Sequence, residues 1–162
     1  MDKKLKLDDF DVDELGYLKV PAVVTWSLMW ALKDLLIAIL PLLPKKFSGG
    51  SSANLEALIT PVPFFTSLIP LLIIAFLYFG RPKTPLLYRF WPQARGLFIL
   101  GLLLCSASFL FSALSNIENT AGQIYVALAV INGYLVFVAA SSRKFKVVFS
   151  NRYIELKHKE FD

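Results

Sequence analysis

Long apolar runs and short polar breaks alternate along the whole chain. The runs cover residues 20–43, 62–80, 96–115 and 121–142. A helix needs ~20 residues to cross a hydrocarbon core about 30 Å thick, and each run approaches or exceeds that length. The later runs have almost no polar face, unlike the one-sided helices of a soluble bundle. The pattern predicts an all-α membrane protein with four transmembrane helices in an antiparallel bundle. It divides the chain into a tail at 1–19, a membrane domain at 20–142 and a second tail at 143–162. The first run is the exception, because Lys33 and Asp34 sit side by side in its interior. It either spans the membrane carrying both charges or dips in and returns.

The breaks have their own chemistry. Pro21 stands where a helix can begin, since the first turn does not need its N–H. Pro41 and Pro44 mark the far end of the first run. Residues 45–61 form a connection with a flexible Ser/Gly stretch, followed by a short interfacial turn at 54–59. Pro70 predicts a kink near Thr66 to Pro70, with the Thr66 and Ser67 hydroxyls placed to re-satisfy the freed carbonyl. Residues 81–95 read as an irregular basic loop around Pro82, Pro85 and Pro92, with Tyr88, Phe90 and Trp91 at headgroup level. The link at 116–120 is short enough to require an antiparallel hairpin. The basic, aromatic tail is expected either to form a small strand hairpin or to extend the fourth helix.

Composition reinforces the membrane reading. The chain is 56% hydrophobic with mean hydropathy +0.60, against roughly 45–50% apolar for soluble domains. The net charge of +5 resembles a nucleic-acid signal, yet the basic residues form no basic face or known module. They flank the apolar runs instead. Of the 17 Lys and Arg, all but Lys33, Lys45 and Lys46 lie in 1–19, 81–95 and 143–159. Four spans place those three regions on one side, which makes both termini cytoplasmic. A re-entrant first run would put residues 81–95 and the second tail on opposite sides, so the bias favours four spans. The N-terminal tail is too acidic and too long for a signal peptide. Its Asp9-x-Asp11-x-Asp13 spacing is no calcium loop, since Glu14 stands at the loop glycine and Val20 at the closing acid. Cys105 is the single cysteine, expected to pack as a small apolar residue. The one histidine, His158, is in the tail. Neither a metal set, a cofactor motif nor a catalytic constellation is discernible, so the chain is expected not to be an enzyme.

Small residues recur at helical spacing. In the third helix these are Gly101, Cys105, Ser108 and Ser112. In the fourth they are Gly122, Ala129, Gly133 and Ala140, with Ala129-x-x-x-Gly133 as a small-xxx-small pair. Such faces let membrane helices approach closely, so helices three and four are expected to pack as a tight hairpin. In the first helix Ser27, Ala31, Asp34 and Ala38 share a stripe, which turns Asp34 into the bundle. Lys33 is rotated about 100° away, toward Trp26 and Trp30, where its ammonium can lie over the Trp30 ring. The two charges are therefore expected not to be simply each other's partner. Asp34 falls ~20 Å along the helix from Val20, near the level of Ser108 and Asn132, its candidate partners. A charge at mid-span costs at least ~2.5–3.5 kcal/mol on insertion scales, so Lys33, Asp34, Ser108 and Asn132 form the candidate intramembrane polar site. Arg81, Lys83, Arg89 and Arg95 are the candidate contacts to lipid headgroups.

Asp13-Glu14-Leu15-Gly16-Tyr17-Leu18-Lys19-Val20-Pro21, followed by Trp26, Trp30 and the central Lys33, resembles the start of a known but uncharacterised family. It comprises small gammaproteobacterial inner-membrane proteins and includes YfeZ. The resemblance is best over Asp13 to Asp34. It implies an inner-membrane location and brings no catalytic residues. Three roles stay open. The leading one is a structural or accessory protein that binds another membrane protein or associates with itself. The others are a small oligomeric transporter or channel-like protein using Lys33 and Asp34, and a lipid- or quinone-binding protein. The lipid bilayer is a partner in each.

Overall fold

The computed structural model describes residues 19–39, 61–79, 85–116, 120–151 and 153. Most of them are helical, and none of them forms a strand. Two helices are long and apolar enough to cross a membrane: Phe90–Leu114, with mean hydropathy 2.4, and Thr120–Ser141, with 2.0. Val62–Leu77 is a shorter apolar helix. The all-α expectation thus holds, together with two membrane-capable helices.

The first apolar run folds as α1 (Ala22–Ala31) and α2 (Lys33–Ile39). Only Leu32 separates them, and the hydrogen bonds continue through it. Its N–H bonds the carbonyls of Leu28 and Met29, both at 3.1 Å, and the Leu36 N–H bonds its carbonyl at 3.1 Å. Leu32 is a tightened turn rather than a reversal of the chain. Pro21 precedes α1, and its carbonyl accepts the N–H groups of Val24 and Thr25.

The second run gives α3 (Pro61–Thr66) and α4 (Leu68–Phe79), interrupted at Ser67. The interruption falls where Pro70 predicts it, because Pro70 has no N–H for the Thr66 carbonyl. The hydroxyls do not fill that gap as expected. Ser67 Oγ donates to the Pro63 carbonyl at 2.7 Å, and Thr66 Oγ1 to those of Val62 and Pro63 at 3.0 and 3.1 Å. Carbonyls three and four residues back lie within a hydroxyl's reach, whereas a residue's own helical carbonyl points away from it.

The expectation of an irregular loop fails over 85–95, which belong to α5 (Pro85–Leu114). Pro85 takes the first helical position, where its missing N–H is harmless. Pro92 lies inside the helix and is exposed. Trp91, expected at headgroup level, is buried. Helix α6 (Thr120–Ser141) matches the fourth run. Among the described residues the tail neither pairs as strands nor extends α6, and residues 154–156 of the expected hairpin lie outside them. Ser142 adopts an extended conformation (φ −64°, ψ 128°), and a separate helix α7 (Arg143–Val148) follows.

Helices α5 and α6 form the most extensive pairing and run in opposite directions, as the hairpin requires. Arg95 lies opposite Ala139, Ser106 opposite Ala129 and Phe109 opposite Tyr125. Helix α1 packs on α4, α2 on α3, both α3 and α4 on α5, and α7 on α1. Two buried clusters result. One gathers Leu28, Phe76, Trp91, Phe98, Phe145 and Phe149 around α7. The other joins Cys105, Phe109, Ala113, Tyr125 and Ala129.

Candidate functional site

The polar site lies where the two clusters meet. A cavity of about 10 Å³ is lined by residues that include Lys33, Asp34, Thr66, Gly101, Cys105 and Asn132. Cys105 and Asn132 are interior to Phe90–Leu114 and Thr120–Ser141, so the site is at mid-helix and not at an end. Pro70 and the break at Ser67 bring Thr66 to it from one side. The tightened turn at Leu32 brings Lys33 and Asp34 from the other.

Lys33 and Asp34 form an ion pair, contrary to the expectation that their faces keep them apart. Lys33 Nζ is 2.8 Å from Asp34 Oδ2, with the side chains 17% and 12% exposed. Adjacent residues diverge by about 100° at the backbone, but the long lysine stem swings its ammonium back to the carboxylate. Unpaired burial costs each charge several kcal/mol, which outweighs the ~2 kcal/mol of rotamer freedom in the lysine side chain. The expected contact with Trp30 is present as well. Nζ lies 5.1 Å from the Trp30 ring centroid and 5.2 Å from that of Phe109, so aromatic faces cover the ammonium where Asp34 does not.

Neither expected partner of Asp34 bonds to it. Instead Cys105 Sγ donates to Asp34 Oδ2 at 3.6 Å, which gives the cysteine a polar role beyond packing. Asn132 shares the cavity but bonds elsewhere, its Oδ1 accepting the Trp30 Nε1–H at 3.0 Å. The indole can only donate, so this bond sets the amide's orientation. It leaves Asn132 Nδ2 buried without a partner, in a residue only 1% exposed. Ser108 is half-buried and does not line the cavity. The sequence reading missed Trp30 and Cys105 as hydrogen-bond donors. The only signal for either was helical spacing, Trp30 one turn before Lys33 and Cys105 on the stripe with Gly101.

The small-residue stripes behave unequally. Gly101 faces α3 and α4 rather than α6: an added Cβ would stand 3.1 Å from Ile69 Cδ1 and 3.8 Å from the Thr66 carbonyl. Its missing side chain thus lets α5 close on the kink. Cys105 and Ala129 are buried, while Ser112 is half-buried. Gly133 corrects the expected small-xxx-small contact within the hairpin, since it is exposed and has nothing within 4 Å of an added Cβ. The α5–α6 contact rests instead on Phe109 stacked on Tyr125 at 6.1 Å and on the Ser106 Oγ bond to the Ala129 carbonyl at 3.0 Å.

Of the residues assigned to headgroups, Arg81 and Lys83 lie outside the described residues, as does the side chain of Arg89. Arg95 turns inward. Its Nε donates to the Ala139 carbonyl at 2.9 Å and its Nη2 to the Ala140 carbonyl at 2.5 Å. Carbonyls at a helix C-terminus lack internal partners, and they outcompete the surface for this guanidinium.

A second feature is an open groove of about 650 Å³ between α1 and α6. Its walls include Trp26, Met29, Trp30, Ile131, Tyr134 and Val138, with Lys33 at one end. Trp26 is 75% exposed and Tyr134 64%. Compared with protein-family models, characterised proteins and solved structures, the chain matches none.

Proposed function

We propose that this chain is a non-enzymatic, multi-pass protein of a bacterial inner membrane, with four spans in an antiparallel bundle and both termini cytoplasmic. In this reading it is a structural or accessory protein that receives an apolar transmembrane helix of another membrane component. The observation that carries the reading is the aromatic groove between α1 and α6. Beside it Gly133 offers space for close backbone approach, the feature that membrane helices use to associate. The Lys and Arg distribution supports the orientation. The resemblance over Asp13 to Asp34 supports the location and membership of the family that includes YfeZ. A transporter or channel role gains less support. The polar cavity holds only about 10 Å³, and its two charges neutralise each other.

Cysteine crosslinking in native membranes tests the docking reading, in a Cys105→Ser background. Tyr134→Cys and Val130→Cys are expected to form one discrete adduct, with a partner or with a second copy. Leu110→Cys, exposed on α5, serves as the control. Equal, diffuse labelling at all three positions would refute the docking role. Reporters fused at both ends and at Ser51 test the four spans separately.

A further inference from the structure

We infer that the cavity between Asp34, Thr66 and Asn132 is a binding site for a single water molecule, which joins the first, second and fourth apolar segments. The cavity's volume of about 10 Å³ is close to that of one probe sphere, the space one water needs. A buried water also needs two to four polar partners, and the lining supplies them. Asn132 Nδ2 is a donor with no partner, fixed in place because its own oxygen holds Trp30. Lys33 and Cys105 both bond Oδ2 of Asp34, which leaves Oδ1 as an acceptor. The Thr66 carbonyl beside Gly101 is a second acceptor, since Pro70 has no N–H to offer it.

The mixture of donors and acceptors selects the ligand class. A cation would meet the Asn132 N–H and the Lys33 ammonium. An anion would meet the Asp34 carboxylate. Water, unlike either ion, both accepts from the amide and donates to the carboxylate and the carbonyl, and it is small enough for the space. The site thus completes a polar layer between two dry clusters. It stands whether or not a partner helix occupies the groove.

Proton-detected solid-state NMR on the full chain in lipid bilayers tests the site. The Asn132 side-chain amide is assigned through its links to Ile131 and Gly133. Short-mixing transfer from water is expected to reach this amide, while the backbone amides of Leu77 and Ala129, buried and away from the cavity, stay dark. Ala31→Val, which adds two carbons to the cavity wall, is expected to abolish the transfer. A dark Asn132 amide in the wild type would overturn the inference. A shift of that amide on exchanging sodium chloride for choline gluconate would also overturn it, in favour of an ion. The wild-type readings decide the matter if the Ala31 variant does not fold.

Discussion

Two regions of this protein satisfy polar groups in different ways. At the α7 end, donors meet carbonyls. Trp91 Nε1 donates to the Val148 carbonyl at 2.9 Å, and Arg95 holds the end of α6. Around these bonds the aromatic rings stack closely, Trp91 on Phe149 at 5.2 Å and against Phe76 at 4.9 Å. At mid-helix, side chains meet side chains, and one donor is left over. The difference follows from the available groups. Helix ends carry unpaired carbonyls, whereas most carbonyls of a helix interior are already bonded within the helix. Interior polar groups must therefore find one another, and they do so completely only if their numbers match.

The forces differ too. Helix α7 carries exposed Arg143, Lys144 and Lys146 on one side and buried Phe145, Val147 and Val148 on the other. That amphipathic pattern belongs to a helix with water on its outer face, where apolar burial drives docking. In the membrane setting proposed above the mid-layer lies in hydrocarbon, where that drive vanishes and packing and polar bonds take over. The α7 end should thus answer to apolar truncation and the mid-layer to charge.

Four experiments can break or sharpen this contrast. The largest effect is expected at Trp91→Ala, which removes two ring contacts and a buried hydrogen bond. A loss of about 3–5 kcal/mol should be read from reversible unfolding in mixed micelles. Asp34→Leu comes next. It leaves the Lys33 ammonium buried without its partner and is expected to cost about 3 kcal/mol in the same assay. Adding Lys33→Met should restore most of that, and failure to do so would show that the pair is not the source of the loss. Trp30→Phe removes the donor to Asn132 at a cost of about 1 kcal/mol, with little change in the unfolding slope. The last contrast sets two glycines against each other, and Gly133 has the smallest effect of all. Gly101→Val overpacks the contact with Ile69, at about 1–3 kcal/mol, while Gly133→Ala is expected to shift the midpoint by less than about 0.5 kcal/mol. Equal sensitivity at both glycines would contradict their different surroundings.

How much the chain disclosed beforehand depended on the range of the signal. The apolar runs and the interruption before Pro70 are local, and both were legible. The start of α5 was not, because Pro85 and Pro92 read as loop residues until Pro85 is placed at the first helical position. Helix α7 was hidden because Phe145-Lys146-Val147-Val148-Phe149 fits strand and helix patterns equally well over so short a length. In the polar layer, helical spacing placed Asp34, Ser108 and Asn132 at one level, and Asp34 and Asn132 line one cavity while Ser108 does not. Their bonding was invisible, since Lys33 reaches Asp34 through its stem and Trp30 takes Asn132 from the neighbouring helix. Spacing gives directions at the backbone, and long side chains then choose among several partners.

Arg95 carries one last consequence. In the orientation proposed above, its charge is among those that hold 81–95 in the cytoplasm while the chain threads into the bilayer. Once α5 has crossed and α6 has returned, the same guanidinium grips the carbonyls of Ala139 and Ala140. The address label of the hairpin thus becomes its clasp. A lysine at this position would preserve the address and lose the forked grip that closes the clasp.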